Sequence, residues 1–327
     1  MRKIGITSTV PLEILVAAGR RPVDLNNIFI SGVDPQRMVA AAEAEGFPRS
    51  ACAWIKGIYS AARQEGIGEV VAVSEGDCSN TRALMEVLSL EGISTIPFSY
   101  PHDRDPVLMR RELEKLMQRL GTDAAAVAGT KEGMDRVRRK LLEIDRLTWE
   151  EDLVSGGENH LYLVSSSDMN GDPAAFEASV DSFLEEARKR QRRTEPVRLA
   201  FLGVPPILTD LYRELECMGA RVVFNETQRQ FAMPYLLPDL TEQYLAYTYP
   251  YDIFHRLEDI LPELRRRRVH GVIHYVQSFC FRQIEDIVLR RRLPLPVLTL
   301  EGDKPGKLDA RTRIRLEGFV EMIGEAP

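Results

Sequence analysis

The sequence predicts an α/β protein of two doubly wound parallel-sheet lobes with a helical region between them, and three observations carry that prediction. Short apolar runs alternate with helical stretches through residues 1–105. From 106 to 195 the periodicity is helical only. At VRLAFLGVPP (197–206) the strand–helix rhythm resumes. Alternation of this kind calls for parallel strands, because a parallel connection must cross over and brings a helix onto the face of the sheet.

Taken in order, RKIGITST is a strand (Lys3–Ser8), LEILVAAG a short helix ending at glycine, and PVDLNN a second strand. A helix spans about Pro35 to Glu45, and another begins at Cys52 in CAWIKGIYSAAR. EVVAVSE is a buried strand, the helix after Cys78 (SNTRALMEVL) runs to Gly92, and ISTIPFSYP is a fourth strand. These form an N-terminal lobe, 1–105. The middle region, 106–195, has apolar residues at helical spacing in VLMRRELEKLMQRLG, MDRVRRKLLEIDRLTWEEDL and AAFEASVDSFLEEARKRQRR, with SGGENHLYLVSSSDMNGDP read as a connection near the site. In the C-terminal lobe, 196–327, strands fall at 197–203, 220–225, 271–277 and 296–301. Its helices are LTDLYRELECMG, YDIFHRLEDILPELRRRR, FRQIEDIVLRRR and RTRIRLEGFVEMI.

A hydrophobic content of 44% with 28% charged residues is that of a globular protein, and a net charge of −6 speaks against nucleic-acid binding. RRRR at 265–268 reads as a solvated helix end. No apolar run approaches a membrane span. Pro11 and Glu13 interrupt a stretch that otherwise begins like a signal peptide, so a strand and a helix fit it better and a cytoplasmic location is expected. In that compartment structural disulfides are rare, and four dispersed cysteines read as thiols or metal ligands.

Three of those cysteines, Cys52, Cys78 and Cys280, stand where a strand or loop turns into a helix. Free backbone N–H groups and the helix dipole favour anions there, so thiolates at such positions suit a negatively charged iron–sulfur cluster. Cys78 and Cys280 follow the carboxyl ends of strands, one in each lobe, which places a shared site in the cleft between lobes. The competing reading makes each cysteine a small buried hydrophobe. Zinc is a weaker alternative, since no closely spaced ligand pair exists and neither His270 nor His274 forms a ligand motif with Cys280. A catalytic thiol lacks a recognisable Cys–His–Asn set. Cys217, near a helix end, reads as a packed helix residue.

With these contexts in view, the chain resembles the 2-hydroxyacyl-CoA dehydratase (D-component) family, which also contains benzoyl-CoA reductase subunits and double-cubane cluster proteins. The likeness rests on GITSTVPLEILVAAGRRPVDL, on the three cysteine contexts, and on LEGDKPGKLDARTRIRLEGFVEM, and it covers nearly the whole chain. It implies two flavodoxin-like lobes with a helical region, in a homodimer or a heterodimer with a homologous subunit. It implies a 4Fe–4S unit, or half of a bridged double cubane, held by Cys52, Cys78 and Cys280. It also implies an ATP-hydrolysing iron–sulfur activator as electron donor. In dehydratases of this type one iron lacks a cysteine and binds the substrate thioester carbonyl, and a ketyl radical permits dehydration. In double-cubane proteins the assembly reduces small molecules. Three cysteines rather than four agree with an iron whose position is open.

Ser8 and Thr9 follow the first strand, and Asn26 and Asn27 end the second. All four are cleft candidates, against ordinary turn and capping roles. Glu226 and Arg229 in NETQRQ are further candidates, against a surface carboxylate; an acid–base role for Glu226 would need burial. Trp54 and Tyr59 read as packing residues or an aromatic shield, and Gln277 and Ser278 as donors to cluster sulfurs. No G-x-G-x-x-G follows a strand and no G-x-x-x-x-G-K-[ST] loop occurs, so any ATP dependence belongs to a partner. The expected function is radical dehydration of a 2-hydroxyacyl-CoA. The alternatives are a homodimeric double-cubane reductase, favoured by the short chain and lack of a CoA motif, and a metal-free two-lobed small-ligand binder.

Overall fold

The computed structural model describes residues 1–325. Eight strands form two separate four-stranded sheets, every pairing parallel. The first holds β1 (Arg2–Ile6), β2 (Arg20–Asp24), β3 (Glu69–Glu75) and β4 (Ser94–Ser99), in the order β2-β1-β3-β4. The second holds β5 (Val197–Gly203), β6 (Ala220–Asn225), β7 (Gly271–Gln277) and β8 (Val297–Gly302), in the order β6-β5-β7-β8. The two orders are the same. Each sheet reverses direction of growth once, between β1 and β3 and between β5 and β7, and loops leaving the strand ends there part to opposite faces and open a crevice.

The strands are apolar because helices cover both faces: β6 and β7 are buried along their whole lengths. One core runs through both lobes, joining Phe29, Ile58 and Val70 to Leu199, Phe201 and Tyr275. A second packs tyrosines from the C-terminal half (Tyr244, Tyr247, Tyr249 and Tyr251) against Ile4, Val71 and Phe98 of the first sheet. The middle region supplies the long helices Pro106–Leu120, Ala124–Trp149 and Pro173–Ala187. Buried charges tie it to both lobes: Arg138 donates to Glu13 at 2.6 Å, and Arg267 donates to Asp145 at 2.8 and 2.5 Å.

Several elements differ from the sequence expectation. β2 stops at Asp24, whose carboxylate accepts the Asn26 N–H and starts a helix over Leu25–Ser31. Asn26 and Asn27 therefore lie in a first helical turn. The supposed connection after Ser155 contains a helix, Gly156–Ser165, started by a reciprocal capping box between Ser155 and Glu158. FRQIEDIVLRRR is a 3₁₀ turn, Phe281–Glu285, followed by the helix Asp286–Arg292. NETQRQ is helical (Glu226–Phe231), and Leu240–Ala246 adds an unforeseen helix. The RRRR run is not wholly solvated, because Arg267 is fully buried in its ion pairs.

The helix that begins after Cys52, Ala53–Gln64, is set by its neighbour Leu25–Ser31. Gly57 faces the Phe29 ring so closely that an added Cβ would come within 2.2 Å of it. Gly57→Ala is therefore expected to push the two helices apart and cost about 1–3 kcal/mol by overpacking, read as a lower urea midpoint.

Candidate functional site

The carboxyl ends of β1, β2, β3, β5 and β7 deliver residues to one cavity of about 110 Å³ between the lobes. Thr7, Ser8 and Thr9 follow β1. Asp24, Asn26 and Asn27 follow β2, and Asp77 and Cys78 follow β3. Val204 to Pro206 follow β5, and Gln277, Cys280 and Arg282 come from the end of β7. Cys52, Trp54, Ile55 and Ile58 enter from the helix Ala53–Gln64, and His160 and Val164 from Gly156–Ser165.

Cys52, Cys78 and Cys280 thus line the same cavity, although Cys280 lies 202 positions beyond Cys78 in the chain. All three are free thiols. Cys52 is the N-cap of its helix, Cys280 the N-cap of a 3₁₀ turn, and Cys78 sits in the turn ahead of the helix Thr81–Leu90. A shared local geometry follows: each sulfur accepts from the backbone N–H two residues on, from Trp54, Asn80 and Arg282 respectively. Burial pushes the Cys52 thiol up to about 11 and the Cys78 thiol up to about 12, and it raises Cys280 as well. Neighbouring charge adds to this. Cys280 raises Cys52, and Asp77, Cys52 and Cys280 raise Cys78, an electrostatic sign of their proximity. Cys217 is exposed rather than packed and lies outside the cavity lining.

The polar wall comes from the first lobe. Asn26 Nδ2 donates to the Thr7 carbonyl at 2.9 Å, and Asn27 Nδ2 donates to Ser167 Oγ at 3.2 Å. Ser8, Thr9 and Asn27, read as cleft candidates from sequence, all line the cavity. Glu226 does not: it is fully buried behind β5, held by Arg256 at 2.9 and 2.8 Å, so it is no surface carboxylate either. Arg229 is likewise turned to Asp259, at 2.9 and 2.8 Å. Gln277 lines the cavity, but its Nε2 donates to the Asp303 carbonyl, and the Ser278 hydroxyl donates to Glu301. The one Ser278 hydroxyl hydrogen is thereby used, whereas Gln277 keeps its second Nε2 hydrogen.

Sequence reading passed over Asp24, Asp77, His160, Tyr249 and Arg282. Asp77 is raised by burial, with the Arg282 charge opposing. Arg282 lies over the Tyr249 ring at 4.4 Å, donates to the Tyr249 carbonyl at 2.8 Å and pairs with Glu285 at 3.1 Å. Asp77 and Arg282 had a usable signal, since each is within two residues of a singled-out cysteine. His160 depended on recognising the capping box.

His160 is kept neutral. Burial lowers it to about 4, and its Nδ1 faces Gln228 Nε2 at 2.8 Å. An unfolded histidine takes up a proton near pH 6.5 and the folded one does not. Stability is therefore lost as pH falls from about 6.5 toward 4, by up to about 3 kcal/mol. His160→Gln is expected to remove that part of the acid-side slope in denaturation curves recorded against pH.

Among the described residues no group of three or more His, Cys, Asp or Glu side chains is arranged to hold a metal ion. Two buried polar atoms on the lining residues, Trp54 Nε1 and Thr9 Oγ1, have no hydrogen-bond partner. Buried donors without a partner are costly unless something occupies the space beside them.

Two doubly wound lobes that bring cysteine thiols from both sheets to a shared cleft define the class: a two-lobed α/β protein with a thiol-lined cavity. The chain belongs to the family described as 2-hydroxyglutaryl-CoA dehydratase, D-component, which it matches from residue 7 to residue 323. It is accordingly a dehydratase-type enzyme component. No curated protein matches it. No helix among the described residues is long and apolar enough to cross a membrane.

Proposed function

We propose that Cys52, Cys78 and Cys280 hold a 4Fe–4S cluster in this cavity and that the chain dehydrates a 2-hydroxyacyl-CoA, with electrons from an ATP-hydrolysing iron–sulfur activator. The observation that carries the reading is the shared cavity, in which each of three thiols has its own backbone N–H partner. The donor set fits. Three free thiols on one lining are the ligand type an iron–sulfur cluster takes, and three ligands leave one metal position open. When bound, the cluster supplies a low-potential electron and a Lewis-acidic metal position.

The chain's own residues then do the rest. The N–H groups of Trp54, Asn80 and Arg282 stabilise the thiolate form against the burial that raises all three thiols. Ile55, Ile58, Val204 and Phe231 exclude water from the apolar side, and Trp54 Nε1 offers an uncommitted donor. Ser8, Thr9 and Asn27 form the polar side, where hydroxyl and amide groups orient a small oxygenated substrate.

A second reading, a homodimeric double-cubane reductase of small molecules, is favoured by one observation. Arg282 is the one Lys or Arg on the lining, and it is already committed to Glu285 and Tyr249, which leaves the lining without a cation for CoA phosphates. Iron and acid-labile sulfide counts on anaerobically prepared protein separate the readings. Equal counts match separate cubanes and dehydration. Sulfide in excess of iron matches a bridged pair, and an iron-free protein contradicts both.

A further inference from the structure

Two buried carboxyl groups, Asp24 and Asp168, stand together behind the polar wall without a cation. Asp24 is 4% exposed and Asp168 6%, and Asp24 lines the cavity. The Asp24 N–H donates to Asp168 Oδ2 at 2.7 Å. The Ser167 hydroxyl donates to Asp24 Oδ2 at 2.5 Å and itself accepts from Asn27. Asp24 Oδ1 accepts from the backbone N–H and the side-chain amide of Asn26, both at 2.9 Å.

Charged groups on the packed elements are occupied elsewhere. Lys3 pairs with Glu65, Arg20 with Glu69, and Glu13 with Arg138. Arg2 reaches toward Gly68 and Arg21 lies over Gly171, neither in an ion pair with these carboxyls among the described residues. Asp172 caps the next helix. Across the cavity stand neutral His160, and Asp77 with Arg282 opposing its burial.

Two buried like charges with no cation cannot both stay ionised cheaply, so such a pair holds a proton in common. We propose that Asp24 is the cavity's proton-exchanging group, with Asp168 as the buried carboxyl that shares its proton and Ser167 as the hydroxyl that positions it. The direction of the shifts agrees. Burial raises both groups, Asp168 to about 7 with the Asp24 charge as second cause, while the Ser167 and Asn26 hydrogen bonds hold Asp24 back. Both carboxyls accept backbone N–H bonds, Asp24 from Asn26 and Asp168 from Asp24 and Asn170, so the single proton belongs to the pair. In the transfer a proton moves between the pair and a basic atom in the cavity. The pair passes between one negative charge and two, and no electron or co-reactant is consumed.

This assignment rests on the cavity being the reaction site, and two measurements keep the two claims apart. The first needs no iron: an infrared pH titration of the full chain, before cluster loading. A protonated-carboxyl band with its midpoint in the neutral range is expected, moved to lower pH in both Asp24→Asn and Asp168→Asn. Asparagine caps a helix as well as aspartate, so both variants should fold; Ser167→Ala, expected to raise the midpoint, is a third check. Absence of the band, or a midpoint unmoved by Asp24→Asn, overturns the shared proton whatever the iron result. The second is the reduction potential of the iron-loaded protein against pH. A potential that falls as pH rises, with the slope flattened in Asp24→Asn, is expected; a pH-independent potential overturns the role in the cavity.

Discussion

Replacing Cys52, Cys78 or Cys280 by alanine is expected to strip most of the iron from anaerobically purified protein, each alone, while Cys217→Ala leaves the wild-type amount. The reasoning is that a cluster with three protein ligands has none in reserve, since one metal position is already open. Each thiol also has its own N–H partner, so no other donor on the lining reproduces the lost ligand's environment. Cys217 is an internal control of the same chemistry, being exposed at a helix end outside the cavity. The variants should unfold within about 1–2 kcal/mol of the wild-type apoprotein, because a small buried thiol contributes modestly to packing. Equal iron in all four variants would remove the ligand assignment.

The second large effect concerns stability. Arg256→Ala is expected to destabilise the protein by about 3–5 kcal/mol, measured as a fall in the urea midpoint. Arg256 and Glu226 are both fully buried, and Arg256 also binds Glu285 at 2.5 Å. Removing the guanidinium leaves Glu226 charged inside the C-terminal lobe with only the Gly203 N–H and Thr227 hydroxyl beside it. The double change Arg256→Met with Glu226→Gln should recover a substantial part of the loss, since it removes both charges together. A loss below about 1 kcal/mol for Arg256→Ala would show that water reaches the site and that the pair is not what fixes this end of β5.

The parts of the fold that could be read in the sequence share one property: their residue types match their surroundings. EVVAVSE and GVIHYVQ are apolar because both sheet faces are covered, and VLMRRELEKLMQRLG shows its buried stripe at helical spacing. The parts that were missed break that match. Gly156 and Gly157 open a helix where glycine has low propensity, and the reason is tertiary: a Cβ on Gly156 would come within 2.6 Å of the Val222 carbonyl. NETQRQ is polar yet buried, because its charges are answered by Arg256 and Asp259 from a distant helix. Arg267, inside a run that looks like a solvated helix end, meets Asp145 and Glu263 in the interior.

The same distinction applies to the site. The cysteines and the hydroxyls after β1 were legible because strand ends of a doubly wound sheet converge by topology. Asp24, Asp168 and His160 were not, since their meaning depends on which partners they lack once folded. A lone carboxylate in a sequence carries no mark of being uncompensated.

The most direct test is the iron stoichiometry of the full chain after anaerobic reconstitution with iron and sulfide, read together with its visible absorption. A brown protein holding about four irons per chain is the predicted result. A colourless chain that takes up no iron, with its fold intact, would contradict the account and leave the cavity to a metal-free ligand.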